Sequence, residues 1–217
     1  MSSDPLKRVR VAALFFSFAF AIIGLSVGIN ALVKGNQTRT RLSSSIPAGA
    51  TVTVDTSNVT NCGIVVTTTC AVIALITFVL FVGNILLWRR HDAASGRIGL
   101  LNRTLALQAV VLAFFALWLF ATIIPFDVFF ANDAVGVSAT FLGAPIPRSF
   151  IDQIAAALGI PTRYRDFGFL RLLAILPWFT VLFTSLAATV LLTASRHIAA
   201  SSFVERQPTL MEKPIDA

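Results

Sequence analysis

The chain has 217 residues, of which 56% are apolar and 12% charged, with a formal net charge of +7 and a mean hydropathy of +0.83. Soluble chains carry roughly 45–50% apolar and about 25% charged residues, so the charge deficit points to a bilayer as the solvent. The 17 basic residues fall between apolar runs with no clustered face or module behind them, which argues against a nucleic-acid partner, and two cysteines are too few for a disulfide-built fold.

Four uncharged runs reach the length needed for a hydrocarbon core of roughly 30 Å, about 20 residues of helix. They are Val11 to Val33, Gly63 to Trp88, Leu105 to Ile124 and Leu172 to Ala194. The expected fold is therefore all-α: a polytopic four-helix bundle, residues 11–195, between a short amino terminus (1–10) and a tail (196–217). The first run follows Lys7, Arg8 and Arg10 and contains Ala19-Phe20-Ala21, which invites a cleavable signal peptide. Its apolar length exceeds the usual 7–15 residues of a signal core, so a retained span is expected.

Within span one, Ala13, Ser17 and Ala21 recur every four residues, and Gly24 and Gly28 extend them in a GxxxG step. Lipid tails give no hydrophobic gain when helices join, so close approach at small residues must hold them together. The stripe Ser17, Ala21, Gly24, Gly28 is expected to face another helix of the same chain, a second copy being the other possibility. Phe15, Phe16, Phe18 and Phe20 then take its flanks and the lipid side.

The first connection, from Lys34 to Cys62, is polar and β-leaning from Ala50 to Asp55. It holds two glycosylation sequons, at Asn36 and Asn58, each close to a span end; Asn102 begins a third on the other side. If Gly63 opens the second helix, Cys62 and Cys70 stand about 12 Å apart along it, beyond the roughly 7 Å that a disulfide tolerates. Cys70 reads as a small apolar side chain and Cys62 as a free outward thiol.

Asn84 near the end of span two and Gln108 near the start of span three sit at similar distances from the same membrane face. An unpaired amide in hydrocarbon is costly, so the two are expected to pair directly or through a water; bonding to their own helices is the bland alternative. The same depth argument brings Asn30 towards Thr67 to Thr69.

Span three is expected to stop at Pro125. The connection beyond it is unusually apolar to Pro147, and Ser149 to Pro161 carries a capping-box-like start and a stripe at Ile151, Ile154, Ala155 and Leu158. This predicts a short amphipathic helix in the outer interface or over the bundle. The tail from Arg196 is polar and reads as unstructured.

Orientation follows from the basic residues: with the amino terminus in the cytosol, ten of the 17 lie inside, four of them in the compact Arg89 to Arg103 hairpin. Both termini are thus expected to be cytosolic, in the plasma membrane or an endomembrane. Neither His91 nor His197 has metal-ligand spacing, and no nucleophile, hydrolase or phosphate-loop motif occurs, so no enzyme activity, cofactor or metal is expected. Asp152 and Asp166 read as loop acids salt-bridged to Arg163 and Arg165.

Four spans, both ends inside, a compact basic hairpin and two outer connections resemble the tetraspan class. A tetraspanin would carry Cys-Cys-Gly in its second outer loop, and a claudin a Trp with a cysteine pair in its first; both are absent. The chain is similar to MARVEL-type and fungal claudin-like tetraspans. The resemblance implies organisation of membrane subdomains, no catalytic residues, and partners among lipids, membrane proteins or further copies.

Overall fold

A computed structural model describes residues 5–44, 50–55, 57–89, 95–132, 136–141, 144–145, 149, 153 and 167–206. Four long helices dominate it: α1 (Pro5–Ser44), α2 (Ser57–Arg89), α3 (Ser95–Asn132) and α4 (Gly168–Arg206). Each contains a segment of 29 to 31 residues long and apolar enough to cross a membrane. At 1.5 Å per residue such a segment spans roughly 45 Å, so its ends stand clear of the hydrocarbon core. The protein is an integral, multi-pass membrane protein.

The helices form a ring in which α1 packs on α2 and α4, and α3 on α4 and α2; α1 and α3 take opposite corners. Side chains turned outward are large and apolar, Leu75 and Leu117 each 67% exposed among them. Helices apolar on every face need a solvent as apolar as their neighbours, which only lipid supplies. Inside, one cluster centres on Val66, Ile73, Leu119 and Phe126. A second, towards the other end, gathers Leu14, Leu105, Leu112 and Leu191.

Both connections on one side enter a single three-stranded antiparallel sheet, β1 (Ala50–Asp55), β2 (Gly136–Phe141) and β3 (Ala144–Pro145). The alternating Ala50 to Asp55 stretch is a strand, and its partner comes from the α3–α4 connection: Ala50 pairs with Phe141 and Asp55 with Gly136. β3 pairs with β2, Phe141 opposite Ala144 and Thr140 opposite Pro145. Proline suits such an edge strand, where no N–H is required of it. The pairing fixes the α1–α2 and α3–α4 connections on the same side of the bundle. The all-α expectation therefore holds for the membrane part and not for these connections.

Several boundaries differ from those the sequence suggests. Helix α3 runs through Pro125 to Asn132. Ending it at the proline would have left several backbone groups unpaired beside lipid, whereas continuing loses a single bond. The apolar Phe126 to Phe130 segment is the last part of this helix, with Phe126 fully buried. Helix α1 starts at Pro5, a residue pre-shaped for a first turn, and carries Asn36 inside it. Helix α4 continues to Arg206, into the expected tail. The amphipathic helix expected over Ser149 to Pro161 lies outside the described residues apart from Ser149 and Gln153, and so do Asp152 and Asp166.

Candidate functional site

The small-residue stripe of α1 faces the interior of the bundle, towards α2 and α4. Ser17 and Ala21 are fully buried and Ala13 nearly so. The Ser17 and Thr184 hydroxyls share a 2.9 Å hydrogen bond between α1 and α4. Three residues further along α1, Thr180 Oγ1 donates to the Phe20 carbonyl at 3.0 Å.

Next comes Gly24, where a Cβ would stand 3.0 Å from Cys70 Sγ and 3.3 Å from Thr180 Oγ1. At Gly28 an added Cβ would overlap Thr67, whose Cγ2 and Cβ would lie only 2.7 and 2.8 Å away. Only glycine lets α1 and α2 approach this closely. Phenylalanines line both flanks of the stripe. Phe20 stacks on Phe183 with ring centroids 4.5 Å apart and Phe16 on Phe183 at 5.6 Å. On the α2 side Phe15 meets Phe81 and Phe18 meets Phe78. Phe15 and Phe16 are exposed, whereas Phe18 packs against the core.

The buried hydroxyls of α2 are satisfied within their own helix. Thr67, Thr69 and Thr77 donate to the carbonyls of Gly63, Val65 and Ile73 at 2.6, 2.7 and 2.7 Å. It is Gly28, not the exposed Asn30, that meets Thr67. Cys62 and Cys70 are both free and both within α2. Cys62 is half-buried against the core, not an outward thiol.

Asn84 and Gln108 do not donate to each other. Asn84 Nδ2 donates to the Leu80 carbonyl at 2.7 Å and Gln108 Nε2 to Thr104 Oγ1 at 3.0 Å. The helix register explains why. Gly63 of α2 faces the ring of Phe126 of α3, so stepping equal distances along the antiparallel pair brings Asn84 level with Leu105. Gln108 is then displaced by about 4.5 Å along the axis. Both amide oxygens, Asn84 Oδ1 and Gln108 Oε1, remain buried without a partner.

Two ionisable groups enter the bundle that the sequence boundaries had left outside it. Arg10, drawn as a flanking residue, is partly buried and its Nε has no partner. Asp127, just beyond the expected stop at Pro125, lies near the sheet end of α3. Its Oδ2 accepts a 3.0 Å hydrogen bond from Trp178 Nε1 of α4, while Oδ1 is buried without a partner. Extending the helical period backwards from Leu14 and Ser17 would have found Arg10 on the inward face.

Between α3 and α4 lies an open apolar groove of about 420 Å³, lined by Ala109, Ala113, Ala116, Phe120, Ser185 and Ala188 among others. Among the described residues no three His, Cys, Asp or Glu side chains converge as metal ligands would. Of the sequons, Asn36 and Asn58 are both exposed and both helical, Asn58 in the first turn of α2. No protein-family model, curated protein or solved structure matches the chain.

Proposed function

We propose that this is a non-enzymatic four-span membrane protein that organises a membrane subdomain or scaffolds partner proteins. The observation that carries this reading is the use to which the buried Ser and Thr hydroxyls are put. Ser17, Thr180 and Thr184 close α1 onto α4, and the α2 threonines bond their own backbone. Side chains so committed suit a fixed body better than a path or a reacting centre. The sheet joining two connections offers such a body a fixed surface outside the membrane. The tetraspan layout points the same way.

On this reading both termini are cytosolic and the sheet faces away from the cytosol, because the denser basic residues lie opposite the sheet. Asn36 and Asn58 are then on the side where glycans are added. Protease-cleavable tags at each terminus in intact cells test the orientation: cleavage from outside overturns it.

Isolation in mild detergent, comparing the natural chain with Val52→Pro, tests the scaffold itself. Val52 pairs with Ala139 in the sheet, and proline removes its N–H. A partner bound in fixed ratio by the natural chain should be lost from the variant while the bundle keeps its melting temperature. If no protein accompanies the natural chain in fixed ratio, the scaffold reading fails. A second reading, a subunit of an oligomeric channel or transporter, draws on the small-residue groove of α3 and α4, where a second copy would fit. Flux through reconstituted protein is its test.

A further inference from the structure

Three orphaned polar atoms lie at the end of the bundle away from the sheet: Arg10 Nε, Asn84 Oδ1 and Gln108 Oε1. The helix register brings their residues together. Gly24 touches Cys70; fourteen residues back along α1 is Arg10, and fourteen on along α2 is Asn84. Arg10 is also five helical turns from Gly28, hence on the face that meets Thr67 of α2. Gln108 is five turns from Phe126, hence on the face of α3 that meets Gly63 of α2. Asn84 is buried on α2 between them. Deeper in the bundle Leu14 and Leu112 close the interior, while Leu105 and Leu191 of the same cluster stand level with the group.

The chemistry of the set is one N–H donor and two carbonyl acceptors. The axial offset of about 4.5 Å between Asn84 and Gln108 is too long for a direct bond but within two successive hydrogen bonds of about 2.8 Å. Water can donate two bonds and accept up to two, and buried waters make about three bonds to groups otherwise unpaired. An anion would match Arg10 and be repelled by both oxygens; a metal cation would match the oxygens and be repelled by Arg10. We propose that the end of the bundle away from the sheet is a water-binding pocket, in which bound water accepts from Arg10 Nε and donates to Asn84 Oδ1 and Gln108 Oε1. The water ties α1, α2 and α3 together, including the two helices that stand at opposite corners. The leucine layer keeps the interior beyond it dry.

The sign of a stability change tests this. If Asn84 Oδ1 were dry and unpaired, Asn84→Leu would remove a buried, unsatisfied carbonyl and leave the melting temperature unchanged or raise it. If it holds water, Asn84→Leu should lower the melting temperature of the purified protein by roughly 4–8 °C, and Gln108→Leu should do the same. Combining Asn84→Leu with Arg10→Met should cost clearly less than the sum of the two, since both disrupt one water; simple misfit of the leucine would add. An unchanged or raised melting temperature, or full additivity, overturns the proposal. Should these variants fail to fold, Asn84→Cys with Cys62→Ser and Cys70→Ala in liposomes supplies the decision. A charged, water-soluble thiol reagent should modify it and spare Leu14→Cys. An unreactive Asn84→Cys beside a reactive, exposed His197→Cys overturns the pocket.

Discussion

Ser17 and Thr184, far apart in the sequence, share a hydroxyl hydrogen bond of 2.9 Å at the centre of the bundle. Both side chains are fully buried, so neither has water to fall back on. Interhelical bonds of this kind are worth about 0.6 kcal/mol on average and up to about 1.7. A double-mutant cycle of Ser17→Ala and Thr184→Val, read by thermal unfolding in detergent, should show a coupling in this range. Zero coupling would mean that the bond contributes nothing to holding α1 on α4.

Gly28 is the tightest point of the α1–α2 seam. Gly28→Ala should destabilise by about 1–3 kcal/mol, the usual cost of overpacking a filled core. Gly24→Leu with Gly28→Leu should prevent stable folding. Thr67→Ala can rescue Gly28→Ala only in part, because the Cβ that remains would lie 2.8 Å from the new methyl. The readout is the melting temperature together with the oligomeric state. A Gly28→Ala protein that melts normally but loses a dimer would put this face on a second copy.

The sheet makes a register-specific prediction. Thr53 lies opposite Ser138 in the β1–β2 pair, and directly opposed antiparallel residues come within disulfide range. Thr53→Cys with Ser138→Cys, in a Cys62→Ser, Cys70→Ala background, should cross-link under mild oxidation. Thr53→Cys with Val137→Cys, out of register, should cross-link far more slowly. Equal rates would mean that the two connections meet without a fixed register.

Trp178 is the hydrogen-bond donor to a carboxylate oxygen of Asp127. Trp178→Phe keeps the ring and removes the N–H, leaving a partly buried acid short of a donor, and should destabilise by about 1–3 kcal/mol. Asp127→Leu in the same background should recover much of the loss, because the group needing a donor is gone. Failure of this rescue in thermal unfolding would show that the indole acts mainly through its packing on Phe120.

The four spans were legible because length and hydropathy alone decide what crosses a bilayer. The inward stripe from Ser17 to Gly28 was legible because, in lipid, contact surfaces select small residues. The ends of the spans were harder to read. Hydropathy stops at the first charge, so Arg10 fell outside span one although the helical period carries it onto the inward face. Pro125 reads as a stop in water, yet lipid penalises an unpaired backbone more than it penalises a proline. The strand from Ala50 to Asp55 announced itself by alternation. Its partner did not, because pairing with residues 136–141 depends on how the helices bring two distant connections to one side. For Asn84 and Gln108, counting from the span ends put the amides level, while the contact of Gly63 with Phe126 sets a register about a turn away.

On the function proposed above, the packed interior of the bundle supports a fixed structure and passes no ions. Purified protein in liposomes, with ion flux measured as protein content is increased, tests it most directly. Vesicles as tight as protein-free ones are expected, because Leu14 and Leu112 close the interior beyond the water pocket. An ion flux that rises in proportion to protein content would contradict it.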